Sequence, residues 1–432
     1  MVGHWLLGRA LFWLATIISS LAWGAATPTL YRYERYKFGS AAKEIAEFKE
    51  QARQIGQAQA RIKRKSGSAN GARVLHRKAH GCLTGTLVLR ANRDRRLRFG
   101  ILADNGPQSY NTLAHFTNGF SFDKADLSPD VRGLAIKLFG AIDPQNPDLH
   151  TVDLLMTNSP RAFGKDLAEF VEFVNVSVDP GPVNLSAFAW KHPETTKLLA
   201  SRTLRIVSSL AQEQYWAGHG YLMGPEHAVK LNLDWVKTQD SFEEVSDELR
   251  AAIERANDDL RGALGNFEKM VSHWIKRLLE DVESEIGKNY LRKDLVRRAK
   301  RGRIHFVLQA QLEKPPLIEP RNATDPIETE TPLEDELVEW TEEVTPSLPV
   351  GDLYLDMQNF EDPVQEKVCE DLRFTPARHH THNRPLGNMG RGRAYPYQES
   401  ADLRGGVLVD PNEQTVFKLL RSRTLLEQPV IE

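Results

Sequence analysis

Two short stretches near opposite ends of the chain carry the residue types best suited to chemistry. Residues 73–76 read Arg-Val-Leu-His, and residues 391–397 read Arg-Gly-Arg-Ala-Tyr-Pro-Tyr, followed by Arg404. An imidazole can serve as a general base near neutral pH. A phenolate is an anionic oxygen ligand for a metal centre. Because residues four apart share one face of a helix, Arg393 is expected to reach the hydroxyl of Tyr397 and stabilise its anion.

Each stretch also contains a rival residue. His80 follows His76 by four positions in a segment predicted to be extended or irregular, so the two imidazoles have no fixed relation. Tyr395 lies only two positions after Arg393, which places it on another face of a helix. From the residues alone, a buried histidine or tyrosine is as readily explained by a structural role in the core.

Composition describes an ordinary globular protein and excludes several classes. The chain has 432 residues, of which 41% are hydrophobic and 26% charged, and its net charge of −2 provides no general attraction for nucleic acid. Cys82 and Cys369 are too few and too far apart in sequence to predict a disulfide framework or a cysteine-rich metal site. We find no Walker loop, dinucleotide fingerprint or zinc-protease motif.

The N-terminus is strongly apolar. Residues 5–26 are apolar apart from Arg9 and a few small polar residues, and residues 10–26 carry no charge. This length is borderline for crossing a bilayer and long for the core of a signal peptide. We interpret residues 1–27 as an export signal or a membrane anchor, with a buried helix as the alternative. The side of the membrane on which the protein resides stays open.

The remaining pattern predicts a mixed α and β chain. Residues 28–68 form a predicted helical arm that packs on the main domain or on a partner subunit, or else is a solvated spacer. The main domain is expected over residues 69–410, with a helical insertion at about 241–302 and a C-terminal tail at 411–432. Strands are predicted at 83–89, 110–116, 227–233, 304–312 and 353–357, and helices at 128–138, 166–174 and 190–210.

Several motifs, taken together, resemble the catalase superfamily. Residues 73–81, Arg-Val-Leu-His-Arg-Lys-Ala-His-Gly, are similar to the family's Arg-Val-Val-His-Ala-Lys-Gly-Ala-Gly. Residues 130–137 and 153–160 resemble two further family motifs, Asp-Pro-Arg-Gly-Phe-Ala-Val-Lys and Asp-Leu-Val-Gly-Asn-Asn-Thr-Pro. Arg393, Tyr397 and Arg404 stand at the offsets of its proximal signature. Residues 289–292, 309–312 and 385–387 look more like its divergent, catalase-like branch.

The resemblance covers about residues 70–405 and implies a fold and a cofactor. The implied fold class is α+β, a closed antiparallel β-barrel surrounded by helices, to which this chain adds the N-terminal hydrophobic helix and the helical insertion. The implied cofactor is haem b, with Tyr397 as the iron ligand and His76 as the distal base. NADPH is not predicted, because no nucleotide motif is present. The resemblance assigns the supporting roles to Thr117 beside His76, Arg73, Arg404 and His115 at the propionates, Phe170 on the porphyrin face, and Arg393 beside Tyr397. His115 stands where the family has a third arginine.

One departure from the family pattern bears on the reaction. Thr157 stands where the family has an asparagine that helps orient peroxide, and Asn158 is the neighbouring candidate. We therefore predict a haem-dependent peroxidase or catalase-like oxidoreductase that dismutates hydrogen peroxide weakly and accepts organic hydroperoxides. The alternatives are a haem-binding protein without turnover and a scaffold without haem. Expected partners are a small peroxide, a membrane through residues 5–26, and a second copy of the chain exchanging the arm, but no nucleic acid.

Overall fold

The computed structural model describes residues 29–66, 73–121, 123–237, 246–263, 265–279, 287–322, 325, 327–404, 417–418 and 420–422. Within these residues, no helix is both long and apolar enough to cross a bilayer. The hydrophobic segment at 5–26 lies outside them, so the predicted signal or anchor stays a prediction. Among the described residues, those from Tyr33 onward belong to one compact unit, and residues 29–32 belong to another.

A closed antiparallel β-barrel forms the centre of the larger unit. Eight strands pair in the order β1-β2-β3-β4-β5-β7-β8-β9, with β9 returning to β1, while the short β6 pairs with β7. This confirms the predicted fold class. The strands are β1 (Ala79–Leu89), β2 (Ser109–Asn118), β3 (Arg132–Phe139), β4 (Thr151–Thr157), β5 (Tyr215–Ala217), β6 (Tyr221–Met223), β7 (His227–Trp235), β8 (Ile304–Leu312) and β9 (Ser347–Leu355).

Alternation along the strands separates the barrel interior from its outer wall. Ala114 and Phe116 of β2 point into the buried cluster that fills the barrel, so His115 and Thr117 point outward. The same alternation holds on β3 and β4. The interior is filled by large apolar side chains from all around the ring, including Leu83, Leu87, Leu134, Ile136, Leu154, Tyr215, Leu231, Phe306, Leu308, Leu353 and Leu355. A barrel of eight strands packed in this way leaves the outer wall for a binding site.

Helices cover that outer wall. Helix α1 (Ala41–Ser66) buries Phe48, Ile55 and Ile62 in a cluster shared with α2. The predicted helical arm therefore packs on the main domain and is not a solvated spacer. The other helices are α2 (Leu167–Val178), α3 (Pro182–Lys191), α4 (Pro193–Thr203), α5 (Asp247–Ala263), α6 (Phe267–Leu279), α7 (Tyr290–Arg301), α8 (Pro363–Asp371), α9 (Gly387–Gly392) and α10 (Ala394–Leu403).

A buried ionic cluster joins the N-terminal arm to the C-terminal helices. Arg391 of α9 contacts Glu34 at 2.7 Å, Glu44 at 2.8 Å and Glu334 at 2.9 Å. The side chains of Arg391, Glu34 and Glu44 are each no more than 4% exposed. Because charges buried this deeply are strongly destabilising when unpaired, the cluster fixes α9 and the adjoining α10 against the arm.

Two predicted helices differ from the structure, and one disulfide was not predicted. The predicted helix at 128–138 is strand β3, and Asp130 does not begin a helix but accepts the backbone N–H groups of Gly119 and Phe120 at 2.9 and 3.0 Å. Cys82 and Cys369, too few and too far apart in sequence to predict a disulfide framework, form a single disulfide between β1 and α8, with their Cα atoms 6.2 Å apart. The predicted helix at 190–210 is also shorter, because α3 ends at Lys191 and Pro193 begins α4.

Candidate active site

The outer faces of β2, β3 and β4 form one wall of a cavity. Thr117, Gly133 and Thr157 are direct neighbours across the three strands, and His115, Ala135 and Leu155 form the next row. The side chains of both rows other than Gly133 line the cavity. Because β3, the middle strand, contributes only Gly133 and Ala135 to these two rows, the wall is nearly flat along β3.

His76 lies over the glycine of this wall. Its Nδ1 is 2.9 Å from Thr117 Oγ1, and its backbone N–H donates to Gly119 O at 2.9 Å. A Cβ at Gly133 would lie 2.6 Å from His76 Cε1 and Nδ1, so only glycine leaves room for the ring. His76 also has a φ of 56°, the only positive value at a non-glycine residue in the described part of the chain. Backbone strain of this kind concentrates at functional sites.

The environment keeps the His76 imidazole neutral. Burial lowers its pKa to about 4, and the nearby charges of Arg73 and Arg393 act in the same direction. A neutral ring can accept a proton, as a general base must. The rival His80 is fully buried, does not line the cavity, and hydrogen-bonds Asn118 Oδ1 at 2.7 Å. His80 therefore has a structural role in the core and not a role in the cavity.

Helix α10 and the residue that precedes it contribute Tyr397 and Arg393 to the cavity that His76 lines. Arg393 Nη2 donates to the Tyr397 hydroxyl at 3.0 Å, the contact expected from their spacing. Burial opposes the charge of Arg393, yet its pKa is raised because the phenol groups of Tyr397 and Tyr221 favour the cation. The rival Tyr395 does not line the cavity and packs on Phe48, with ring centroids 5.6 Å apart.

The other predicted site residues, with one exception, also reach the cavity. Arg73, His115, Phe170 and Arg404 all line it. Burial, reinforced by Arg73, lowers the pKa of His115 well below its usual range, so this side chain is neutral. The exception is Asn158, which accepts from the Arg132 backbone N–H at 2.8 Å and donates to Glu213 at 3.1 Å. Asn158 is therefore not a candidate catalytic residue.

Two residues that line the cavity, Arg373 and Phe374, were not predicted from the sequence. Arg373 and Phe374 follow α8 and enter the cavity from a segment that shows no motif. With Arg373, four arginines line the cavity, and no aspartate or glutamate among the described residues does so. The remaining walls are mainly apolar, including Phe120, Phe163, Phe173, Leu167, Val171, Leu372 and Met389. A cavity of this kind favours a largely apolar ligand that carries negative charge.

Comparison with known proteins relates this architecture to solved structures. A fungal catalase matches with a TM-score of 0.53 and 17% identity, over 85% of this chain and 65% of that one. A bacterial catalase matches with a TM-score of 0.53 and 15% identity, and catalase A from Saccharomyces cerevisiae with 0.52 and 15%. Each of these two matches covers 80% of this chain, and 62% and 63% of theirs.

The chain thus spans slightly less than two thirds of the length of the catalases that it matches. No protein-family model matches the chain, and no curated protein matches its sequence. At this level of identity the comparison establishes the architecture, while the individual site residues rest on their own geometry. The fold of this protein is catalase-like.

Proposed function

We propose that this protein binds haem b in the cavity between His76 and Tyr397 and uses it to react with peroxides. The observation that supports this most strongly is the convergence of two residues from opposite ends of the chain on one apolar cavity. One is a neutral imidazole, and the other is a phenol paired with a buried guanidinium. The catalase-like fold is consistent with this proposal.

The cavity fits a flat, anionic tetrapyrrole in three respects. The strand wall carries no side chain beyond Cβ at Gly133 and Ala135, which leaves room for the His76 ring and for a planar group beyond it. The hydroxyl of Tyr397 supplies an oxygen ligand for a metal, and Arg393 donates a hydrogen bond to it. The four arginines face no lining carboxylate in the described part of the chain, which leaves positive charge for the carboxylates of the cofactor.

Each of the surrounding residues would have a separate role in the reaction. When bound, the haem iron would supply the redox chemistry that cleaves the O–O bond of a peroxide. His76 would take the proton from the attacking oxygen and return it to the leaving oxygen, and Thr117 would hold the ring at the required angle. Arg393 would stabilise the negative charge of Tyr397. Phe120, Phe163 and Phe173 contribute apolar surface to the cavity that His76 lines.

Thr157 indicates how the reaction differs from catalase dismutation. It sits across Gly133 from Thr117, and its short hydroxyl stands where the family pattern places a carboxamide. No asparagine or glutamine side chain among the described residues lines the cavity to replace it. We therefore propose weak dismutation of hydrogen peroxide and better use of organic hydroperoxides, whose apolar tails suit the cavity walls.

The visible spectrum of protein produced in haem-supplied cells is the primary test. We expect a Soret band that shifts in Tyr397→Phe and a reaction with peroxide that is lost in His76→Ala. Oxygen release is expected to be slow and to rise in Thr157→Asn. A colourless preparation would reject the proposal. A Soret band without any peroxide reaction would instead support the alternative of a haem-binding protein without turnover, for which the unusual Thr157 is the favouring observation.

A further inference from the structure

Three arginines from separate parts of the chain meet at one end of the cavity. Arg73 precedes β1, Arg373 follows α8, and Arg404 follows α10, and all three line the cavity. We call this set the arginine cluster. Like charges brought together at a partly buried site repel one another, so the cluster needs anions to offset its charge.

The protein itself supplies few anions to the cluster. Arg73 contacts the half-exposed Glu370 at 3.3 Å and also donates to the carbonyl oxygens of Cys369 and Glu370. Arg373 donates to the neutral amide of Gln398. The Nε atoms of Arg373 and Arg404 are buried and lack a hydrogen-bond partner among the described residues. The guanidinium donors of the cluster are therefore not all satisfied by the protein.

Electrostatics support the same conclusion. The pKa of Arg404 is lowered to about 10, first by burial and then by the charge of Arg73, with Arg373 acting in the same direction. Burial also lowers the pKa of Arg373, although the charge of Asp402 acts in the opposite direction. Burial therefore disfavours the charge of both arginines, and at Arg404 the charges of Arg73 and Arg373 add to this effect.

His115 explains why a third arginine is present. At this position the family pattern has an arginine, but the buried His115 is neutral and cannot supply the charge. Phe374 packs against His115 with ring centroids 5.8 Å apart, and the adjacent residue Arg373 lines the same cavity as the histidine. Lys137 fixes this segment by donating to the Arg373 carbonyl oxygen at 3.1 Å.

We propose that Arg373 is a cofactor-binding residue that replaces the cation missing at His115 and, with Arg73 and Arg404, binds the two carboxylates of the tetrapyrrole. The inference rests on the proposed haem function. It assigns to Arg373 a role that follows from its position in the fold and from the charge of its neighbours, and it leaves His115 as an uncharged wall residue.

The test compares haem with haem dimethyl ester, which lacks the two negative charges. Haem-loaded protein is mixed with an excess of apo-globin, and the loss of its Soret band gives the rate of haem release. We expect Arg373→Gln to release haem about 10- to 100-fold faster, the range for losing a charge-assisted hydrogen bond. The same variant should release the dimethyl ester at nearly the wild-type rate. Arg95→Gln removes an exposed arginine outside the cavity and should change neither rate.

Two further variants make the result decisive. His115→Arg in the Arg373→Gln background should restore much of the slow haem release, because it returns a cation to the neighbouring position. Arg373→Lys should fall between the wild type and Arg373→Gln, and it serves in its place should the latter fail to fold. Equal acceleration for haem and its ester, or no acceleration for either, would overturn the assignment of Arg373. Failure of the wild-type protein to bind haem would instead overturn the proposed function.

Discussion

Replacing Gly133 with alanine should displace His76 in the candidate active site, although the substitution itself removes no charged or catalytic side chain. The added Cβ would lie 2.6 Å from two atoms of the His76 ring and 2.8 Å from Thr117 Oγ1. Carbon atoms in contact are normally about 3.5 Å apart, so the ring would have to move by about 1 Å. It cannot move freely, because its backbone N–H is bonded to Gly119 and its Nδ1 contacts Thr117.

A displacement of this size has two measurable consequences. Misplacing a catalytic group by about 1 Å can reduce a rate by about 100-fold, so we expect that loss in the rate of reaction of haem-loaded protein with peroxide. Overpacking should also destabilise the protein by about 1–3 kcal/mol. The rate is measured by stopped-flow absorbance, and the stability by denaturant unfolding of the haem-free protein. Gly262→Ala is the control, since nothing lies within 4 Å of its added Cβ.

A double-mutant cycle shows whether the clash is with His76. Much of the stability lost in Gly133→Ala should be recovered when His76 is also changed to alanine, because the ring that the new methyl group meets is then absent. Thr117 can relieve the remaining contact by rotating its hydroxyl. Additive effects of the two substitutions, or a peroxide rate in Gly133→Ala equal to that of the wild type, would refute the placement of the His76 ring over Gly133.

Three other predictions concern the haem-free protein, and all are followed by denaturant unfolding. Arg391→Met should lower the free energy of unfolding by about 3–5 kcal/mol, because it removes the cation that the buried Glu44 contacts and one cation from the buried Glu34, which keeps Arg384 at 2.6 Å; a change below 1 kcal/mol would contradict this. Replacing Cys82 and Cys369 together by serine should cost roughly 4 kcal/mol, since the bond closes a loop spanning 287 residues of sequence; an unchanged unfolding midpoint would exclude the disulfide. Burial lowers the pKa values of His76 and His80 to about 4, so the unfolded chain binds more protons than the folded one between pH 6.5 and 4. Each histidine should therefore lower stability by up to about 1.4 kcal/mol per pH unit as pH falls through that window, and His379, whose pKa burial also lowers to about 4, acts in the same direction. Asp130 and Glu336, whose pKa values burial raises to about 6 and about 7, partly offset this effect. Stability that stays level or rises over this range would contradict the lowered pKa values of the histidines.

The sequence was most informative where a short motif defines a local geometry. The spacing of Arg393 and Tyr397 predicts a contact on one helix face, and the structure has that contact at 3.0 Å. The run around His76 identifies which histidine to consider, although its relation to Thr117 and Gly133 depends on strand register. These positions could be assigned because each depends on a few neighbouring residues or on a resemblance to a family pattern.

The error at β3 has a different physical cause. Asp130 resembles a helix N-cap, but its carboxylate instead accepts two backbone N–H groups of the preceding turn. The outward residues Gly133 and Ala135 are small, and Lys137 is buried in an ion pair with Asp153 at 2.7 Å. Because the outward face is therefore not visibly polar, the strand shows no clear alternation of polar and apolar residues. The feature that concealed the strand is the same one that makes room for the site.

Arg373 and the Cys82–Cys369 disulfide could not be found from the sequence, since both depend on contacts between distant segments. Neither the arginine nor the two cysteines belong to a recognisable sequence motif. Arg373 becomes visible as a site residue only when Phe374 is seen against His115, and the two cysteines only when β1 and α8 are seen side by side. Such contacts are set by the closure of the barrel and the helices packed around it, which no single stretch of sequence specifies.

The two departures from the family pattern have different consequences. Under the proposal above, Arg373 supplies the charge absent at His115, so the cavity would keep the cations needed for cofactor carboxylates. The carboxamide absent at Thr157 has no replacement among the described lining residues. A chain that had simply lost its cofactor would have no physical need for a third arginine at that end. The combination therefore favours a protein that retains haem while its reaction with hydrogen peroxide is altered. Slow haem release together with slow oxygen evolution would support this conclusion, and rapid release from the wild-type protein would contradict it.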